Sequence, residues 1–311
     1  MHHEVTRKLY ELYPLEDKND FFPAYLYLKY IEHFAWHVCQ AMGIPTKDLP
    51  EELDEGIVEM LKSYVQEIID TSPSLDTNIY HAKVVKLQDT IKLVTQKEDL
   101  ALPVSETVMP FKIARDVILR NPDSIAVGTC ACRSIQANPC LPPPMEVCLI
   151  IGDPFASFIA AQNPKFRKIT QQEAMKVLEE SHKRGDVHCA YSKKELGNSL
   201  YCICNCCSCC CMGIKMWNLV GGLYPFLAPS GYVAGVGEDC NGCGKCADNL
   251  CRFNAVSFDH KTERPVISIE KCMGCGVCED VCPVEAISLR REPSKGEPLD
   301  LDELKSQSNS A

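Results

Sequence analysis

The sequence lacks several features that would place it in a common class. It has no run of about 18 uncharged apolar residues, the usual length of a membrane-spanning helix. Its start, MHHEVTRKLYELYP, is charged and lacks the apolar segment of a signal peptide, so we expect a cytoplasmic protein. The net charge is −10 and there is no basic stripe, which disfavours nucleic-acid binding.

Nucleotide-binding and catalytic signatures are also missing. No G-x-G-x-x-G turn lies between a strand and a helix, so no dinucleotide site is indicated. The G-x-S-x-G turn that presents a serine nucleophile is absent as well. These absences leave the cysteines as the main source of chemistry.

The chain has 21 cysteines among 311 residues, and 46% of its residues are hydrophobic, enough for two or three folded domains. In a small secreted domain, so many cysteines would suggest disulfides. Thiols spaced two residues apart in a chain without an export signal favour metal binding instead. Cys39 stands alone, and we expect it to be a buried apolar residue.

Residues 1–75 predict a helical region without visible chemistry. Apolar residues recur every four positions over 21–43, which is typical of one helical face. A second helix is predicted over 51–70 from an i, i+3, i+4 apolar stripe. We expect the two helices to pair as an antiparallel hairpin that docks a redox partner.

Residues 76–230 alternate between strand and helix signals, which predicts a cysteine-rich α/β domain. Strands are expected over 125–128, 146–151 and 199–204, with the cysteines in loops at strand ends. Helices are expected over 110–120, beginning at Pro110, and from a capping box at Thr170 and Glu173 to about 184. Residues 75–108 fit either short strands or a helix.

The last part of the chain completes an α+β protein. An internal repeat over 231–290 contains eight cysteines in two matched runs. The first run is Cys240, Cys243, Cys246 and Cys251, and the second is Cys272, Cys275, Cys278 and Cys282. Three thiolates at this spacing can wrap one iron–sulfur cube, whereas zinc sites usually separate two C-x-x-C pairs. Residues 291–311 are polar, and we expect a flexible tail.

The two runs resemble the bacterial two-[4Fe–4S] ferredoxins. The resemblance implies a ferredoxin-like fold with one cluster on Cys240, Cys243, Cys246 and Cys282, and another on Cys272, Cys275, Cys278 and Cys251. The first run departs from the family pattern, because four residues rather than three precede Cys251 and Arg252 stands in place of proline. We expect this longer loop to change the reduction potential of its cluster.

Two more cysteine groups lie in the middle domain. Four cysteines within nineteen residues can close one metal site, namely Cys130, Cys132, Cys140 and Cys148. Arg133 would either donate to the sulfurs of this site or pair with a carboxylate. The segment CNCCSCCC can serve a further cluster through Cys204, Cys206, Cys207, Cys209, Cys210 and Cys211. Additional candidate ligands are Cys189, Cys202, His182 and His188.

Together, the C-x-C-R segment, the CNCCSCCC segment and the ferredoxin runs resemble multidomain iron–sulfur proteins of anaerobic microbes over residues 108–290. The leading hypothesis is an electron-transfer protein with two C-terminal [4Fe–4S] clusters and one or two more in the middle domain. Its acidic charge would favour a basic redox partner, or only keep the protein soluble.

Two alternatives remain open. In the first, the protein is a reductase whose middle-domain cluster binds and reduces a small substrate at an open coordination position. In the second, the upstream thiols bind zinc or copper, and only the ferredoxin part is redox active.

Overall fold

The computed structural model describes residues 2–13, 20–49, 52–71, 80–103, 108–109, 116–142, 145–197, 199–220 and 227–308. Its helices are α1 (His2–Tyr10), α2 (Phe21–Lys29), α3 (Ile31–Ala41), α4 (Glu55–Thr71), α5 (Leu87–Val94), α6 (Ala131–Ser134), α7 (Phe155–Gln162), α8 (Gln171–Lys183), α9 (Met212–Val220), α10 (Val277–Asp280) and α11 (Leu301–Ser308). Its strands are β1 (Tyr80–Val84), β2 (Leu100–Pro103), β3 (Asp116–Leu119), β4 (Ile125–Thr129), β5 (Glu146–Ile151), β6 (Phe166–Ile169), β7 (Val187–Lys193), β8 (Leu200–Cys206), β9 (Leu227–Ala228), β10 (Tyr232–Val236), β11 (Val256–Asp259), β12 (Arg264–Ile267) and β13 (Ile287–Arg291).

A seven-stranded sheet forms the centre of the fold, in the order β6-β4-β5-β8-β7-β1-β9. Its neighbouring strands are antiparallel except for β1 and β9, which run parallel. Antiparallel neighbours need no crossover helix, so hairpins and short helical connections suffice. β8 lies at the middle of the sheet and is hydrogen-bonded to a neighbouring strand along both of its edges, to β5 on one side and to β7 on the other.

The sheet has helices on both faces, because successive side chains of a strand point to opposite sides. Leu149 and Ile151 of β5 pack in one core with Leu93 of α5 and Leu178 of α8. Ile150 belongs to the opposite core, which is filled by α1, α2, α4 and α7. None of the helices in the described residues has the length and apolar character that crossing a membrane requires.

The N-terminal helices differ in part from the prediction. The single helix expected over 21–43 is divided at Tyr30 into α2 and α3. The second predicted helix is confirmed as α4. Leu28 and Leu61 are buried in the same core as Tyr201 of β8. The apolar stripe that suggested a partner-docking region therefore packs within the chain.

In the middle domain, the strands predicted over 125–128, 146–151 and 199–204 are confirmed as β4, β5 and β8. The capping box is also confirmed, since Glu173 N donates to Thr170 Oγ1 at 3.2 Å and Thr170 N donates to Glu173 Oε2 at 2.9 Å. The ambiguous stretch over 75–108 contains a strand, β1, then a helix, α5, and a further strand, β2.

The helix predicted over 110–120 is wrong at its C-terminal end. Residues 116–119 form β3, which pairs antiparallel with β2, and residues 110–115 lie outside the described chain. Val117 and Leu119 are buried while Ile118 between them is less so, which is the two-residue alternation of a strand. Pairing with β2 therefore overrides the local helix signal.

The ferredoxin part is built from two small antiparallel pairs, β10 with β13 and β11 with β12. Its core is small and consists largely of Val233, Ala234, Ala255, Ile287 and cysteine side chains. Little apolar surface is available to stabilise such a core, so we expect bound metal to contribute much of its folding free energy.

A flexible tail is predicted over 291–311, but residues 291–308 have defined structure that includes the helix α11. Leu301 and Leu304 of α11 are buried in the core that also contains α5 and α8. Lys92 Nζ donates to Asp300 Oδ1 at 3.0 Å, and Lys305 Nζ donates to Gln96 Oε1 at 2.9 Å. Because the two leucines are three residues apart, they lie on the same face of a mostly polar helix, and this apolar face packs against the core.

Replacement of Leu304 tests this packing. Leu304→Ala should lower the free energy of unfolding by about 2–5 kcal/mol, because a buried leucine leaves a cavity. Gln307→Ala, on the exposed side of α11, should change it by less than about 0.5 kcal/mol. Anaerobic denaturant titration measures both, and equal small effects would show that α11 does not pack on the sheet.

Candidate metal centres

Both C-terminal cysteine loops use the same backbone geometry. Gly242 and Gly274 lie at equivalent positions, two residues after the first cysteine of each run, with φ of +68° and +64°. A Cβ on Gly242 would lie 2.5 Å from Glu263 O, and one on Gly274 would lie 2.3 Å from Tyr232 O. Only glycine fits these positions, since it tolerates a positive φ and leaves room for the close backbone.

Backbone amides donate to the cysteine sulfurs at matching places in the repeat. Ala255 N lies 3.3 Å from Cys251 Sγ, and Ala286 N lies 3.2 Å from Cys282 Sγ. In each run the donor follows the last cysteine by four residues. Such amides stabilise thiolate charge and influence the potential of a bound cluster, so this donor set fits an iron–sulfur site.

The sulfurs of the two runs are interleaved. Cys246 interacts electrostatically with Cys240 and Cys243 of its own run and with Cys282 of the other. Cys278 in turn interacts with Cys275, Cys272 and Cys251, and also with Cys246 of the first run. Thiols of both runs therefore lie near one another, and the division into two ligand sets stays a prediction.

Burial also disfavours the ionised form of these thiols unless a positive charge lies nearby. Desolvation, together with the nearby thiols of Cys251 and Cys272, raises the pKa of Cys275 to about 12. A positively charged metal core favours the thiolate and reverses this effect. The buried loop is therefore suited to a metal rather than to a free thiol.

The irregular first run connects the ferredoxin part to the middle domain. Asn249, in the longer loop, adopts a left-handed φ of +52°. Arg252 Nε donates to Gly185 O at 2.8 Å, and its Nη2 donates to Arg184 O at 3.2 Å. Asn218 Nδ2 donates to Arg252 O at 2.9 Å. The proline of the family pattern has no side-chain donor, so the substitution supplies contacts that proline cannot make.

The middle-domain cysteines are grouped differently from the prediction. Cys140 lies with Cys207, Cys209 and Cys210, and we call these four residues the Cys140 quartet. Eight other thiols form a connected network that we call the thiol pool: Cys130, Cys132, Cys148, Cys189, Cys202, Cys204, Cys206 and Cys211. The single site expected from Cys130, Cys132, Cys140 and Cys148 is therefore divided, because the loop after α6 carries Cys140 away from the strands.

The thiol pool lies on one face of the central sheet. Cys202, Cys204 and Cys206 alternate along β8, and Cys204 pairs in register with Cys148 of β5 and Cys189 of β7. The Sγ atoms of Cys202 and Cys204 are 3.4 Å apart, and those of Cys148 and Cys204 are 3.9 Å apart. The predicted strands already contained Cys148, Cys202 and Cys204, whereas the prediction of loop positions is wrong for Cys189 and Cys206, which lie on β7 and β8.

Arg133 lies between the pool and the quartet and is almost fully buried. Its Nη2 donates to Asp186 Oδ1 at 2.8 Å, while Nε and Nη1 have no hydrogen-bond partner in the described chain. Burial opposes its charge, but Cys130, Asp186 and Cys207 raise the pKa of Arg133 above its usual value. Both predicted roles of Arg133 are thus compatible, because one nitrogen meets a carboxylate and the others are available to sulfur.

Asp186, the partner of Arg133, has no recognisable sequence signal. It follows Gly185 directly before β7, and only the fold brings it to the guanidinium. Such a contact between residues far apart in sequence becomes visible only when the sheet register is known.

The histidines proposed as ligands are occupied by hydrogen bonds. His188 Nδ1 lies 2.6 Å from Asn205 Oδ1, and His188 Nε2 lies 3.1 Å from His182 Nδ1. His182 Nε2 contacts the carboxylate of Asp280 in α10. Burial lowers the pKa of His188 to about 4, with a contribution from His182. These groups link β8 to the ferredoxin part, and both ring nitrogens of each histidine are already used.

Cys39, the free thiols and a cavity are the remaining features of interest among the described residues. Cys39 is buried as expected, and desolvation raises the pKa of its thiol to about 11. All 21 cysteines are free thiols in the structure. A cavity is lined by Tyr13, Asp20, Arg120, Asp153 and Lys194 among others, and none of the described residues that line it is a cysteine.

Substitution of one glycine tests the geometry of the second loop. Gly274→Ala should lower the iron content by about one cluster per chain, because the added Cβ meets Tyr232 O and Ser230 Oγ, both at 2.3 Å. Gly235→Ala is a matched control in β10, where the nearest atom to the added Cβ is 3.8 Å away. Iron and labile sulfide analysis distinguishes the two, and full iron content in Gly274→Ala would contradict the loop geometry.

Comparison with known proteins identifies the C-terminal repeat. Residues 239–286 match the family described as a 4Fe-4S dicluster domain. A polyferredoxin-like subunit of an aliphatic sulfonate oxidoreductase from Pyrococcus furiosus is 44% identical over 45 residues, which cover 13% of this chain and 26% of that protein. Pyruvate synthase subunit PorD from Methanothermobacter marburgensis is 33% identical over 55 residues, covering 18% and 60%.

A third relative is an archaeal-type glutamate synthase [NADPH] from Thermotoga maritima, 35% identical over 60 residues, which cover 19% of this chain and 12% of that protein. The chain thus spans less than two thirds of each of these relatives. The cysteine spacing, the repeated loop geometry and the family match agree on one conclusion. The C-terminal part of the chain is a 4Fe-4S dicluster domain of the ferredoxin type, for two [4Fe–4S] clusters.

Proposed function

We propose that the chain relays single electrons between a redox partner, two clusters in the ferredoxin domain and one or two further clusters in the thiol pool. A [4Fe–4S] cluster changes its charge by one electron, and its protein surroundings set the potential. The residues of this chain provide the ligands, the amide donors and the spacing between sites.

The two proposed ferredoxin ligand sets come from the resemblance to dicluster ferredoxins, and the interleaved sulfurs support them. The first set is Cys240, Cys243, Cys246 and Cys282, and the second is Cys272, Cys275, Cys278 and Cys251. The electrostatic contact of Cys246 with Cys282 supports the first set, and that of Cys278 with Cys251 supports the second. Because each run contributes one ligand to the other set, the two sites are held at a fixed separation.

The observation that carries the relay is the contact between the second set and the pool. Cys275 interacts electrostatically with Cys189 of β7. Cys251 and Cys275 also pack against the core that contains Cys189 and Cys206. The thiols therefore form a continuous series from the sheet into the ferredoxin domain, as an electron path requires.

The thiol pool supplies enough ligands for one or two clusters. Three of its eight cysteines extend along β8 from Cys202 to Cys206, about 13 Å for four residues of strand, and the other five lie beside them. Arg133, with two donors unused within the described chain, can offset the negative charge of thiolates and donate to sulfur. This charge compensation matters because the pool is buried in an apolar core.

The exposed end of the relay lies at the first set. Cys243 is exposed, whereas Cys272 of the second set is buried. Glu238, Asp239 and Asp248 are exposed in the segment around Cys243. An acidic surface of this kind would attract a basic redox partner, consistent with the net charge of −10. The relatives include oxidoreductase and synthase subunits, which makes a larger redox complex a reasonable setting.

We place the protein in the cytoplasm on the basis of its thiols. Twenty-one free cysteines require a reducing compartment to remain available for metal. The same chemistry suits an anaerobic cell, because exposed thiolates and clusters are readily oxidised.

Iron analysis tests the relay. Anaerobically purified protein should contain more iron than the roughly eight atoms that two cubanes supply, with sulfide in proportion. Removal of one pool ligand by Cys204→Ser should lower the total by about one cluster of four irons and leave the ferredoxin signals in the electron paramagnetic resonance spectrum. A wild-type protein with only eight irons would refute the extra clusters while leaving the ferredoxin domain intact.

Serine substitutions test the exchange of ligands between runs. Cys251→Ser should perturb the same resonance as Cys275→Ser, because both belong to the second set. Cys282→Ser should instead perturb the resonance that Cys243→Ser affects. If Cys251→Ser and Cys243→Ser changed the same signal, each run would bind its own cluster and the proposed sets would be wrong.

A further inference from the structure

We infer that the Cys140 quartet binds a single tetrahedral metal ion of the zinc type, separate from the iron–sulfur sites of the relay. Its four Sγ atoms all lie within 4.8 Å of one another. The Sγ of Cys140 is 3.4 Å from that of Cys207 and 3.8 Å from that of Cys210, and Cys209 and Cys210 are 3.7 Å apart. Four sulfurs about 2.3 Å from one zinc ion are about 3.8 Å apart at the corners of a tetrahedron.

A cubane requires a different arrangement. Each of its four thiolates binds a different iron atom, so the sulfurs must surround the whole cube and stand farther apart. The ferredoxin thiols of this chain follow that rule, since no three of their eight sulfurs lie within 4.8 Å of one another and all eight are in the described chain. Single pairs of pool sulfurs are as close, but among the described residues the quartet is the group whose sulfurs all lie within 4.8 Å of one another.

The local fold explains the compact spacing. Cys207, Cys209 and Cys210 come from one tight turn between β8 and α9, and Cys140 comes from the loop that follows α6. Three ligands from a four-residue turn converge on one point and cannot enclose a cube. Cys140 completes the tetrahedron from a distant part of the chain.

The surrounding charge suits a closed zinc site. Four thiolates around a divalent ion carry a net charge of about −2. The guanidinium of Arg133 lies close to Cys140 and Cys207 and opposes that charge. With four cysteine ligands the ion has no open position for a substrate, so it would be structural.

The ion would hold two segments that also serve the thiol pool. The loop after α6 continues from Cys130 and Cys132, and the turn after β8 continues into Cys211. Linking these segments keeps the pool ligands in place. Zinc has no redox chemistry, so the quartet would shape the relay without carrying electrons.

Metal analysis of the full chain, purified anaerobically, tests the site. Wild-type protein should contain about one zinc ion per chain, and X-ray absorption at the zinc edge should show four sulfurs at about 2.3 Å. Cys209→Ser should lose most of the zinc but retain iron, sulfide and the ferredoxin resonances. Ser208→Ala, in the same turn, is the matched control and should keep the zinc.

Cobalt substitution gives a second measurement on the unmutated protein. Co²⁺ in place of zinc should produce the intense visible absorption of a tetrahedral tetrathiolate site, and Cys140→Ser should abolish it. Absence of zinc from wild type, a lone iron ion at this site, or a loss of four irons with sulfide in Cys209→Ser would each overturn the inference. A failure of the relay would appear instead in the total iron count, so the two outcomes are distinguishable.

Discussion

The two-residue alternation of side chains along β8 is the constraint from which the rest of the middle domain follows. It puts Cys202, Cys204 and Cys206 on one face, and the sheet register adds Cys148 and Cys189 beside them. Thiols packed this closely in a core cannot all ionise unless a cation compensates their charge. Arg133 supplies part of that charge, and metal bound by the pool as proposed would supply the remainder and couple folding to metal binding.

The ferredoxin domain is joined to this core through the irregularities of its first run and through a histidine pair. Arg252 binds the carbonyls at the end of α8, and His182 and His188 connect α10 to Asn205 of β8. Asn205 lies between two pool cysteines and donates to Val147 O at 2.7 Å. Polar contacts with defined partners fix orientation more strictly than an apolar surface does, because an unpaired buried group is costly.

The sequence predicts the dicluster domain well because its cysteines are close along the chain and their spacing is specific. It also predicts β4, β5, β8 and the capped α8, whose signals are local. Prediction from sequence fails where contacts between residues far apart in the chain determine the local structure. β3 is a strand because β2 pairs with it, and α11 is ordered because two leucines reach a remote core. The division of the upstream thiols into pool and quartet depends on sheet register, which spacing alone does not contain.

The ferredoxin domain is attached at both of its ends. Before it, β9 pairs with β1 at the edge of the central sheet, and after it, α11 packs beside α5 and β2. A domain on one tether can swing between partners and deliver electrons by diffusion. A domain inserted between two anchored segments has no such freedom, so its clusters would keep constant distances from the sheet. In the proposed relay, the ferredoxin clusters would therefore stay at fixed distances from the thiol pool, and a redox partner would have to dock on the protein.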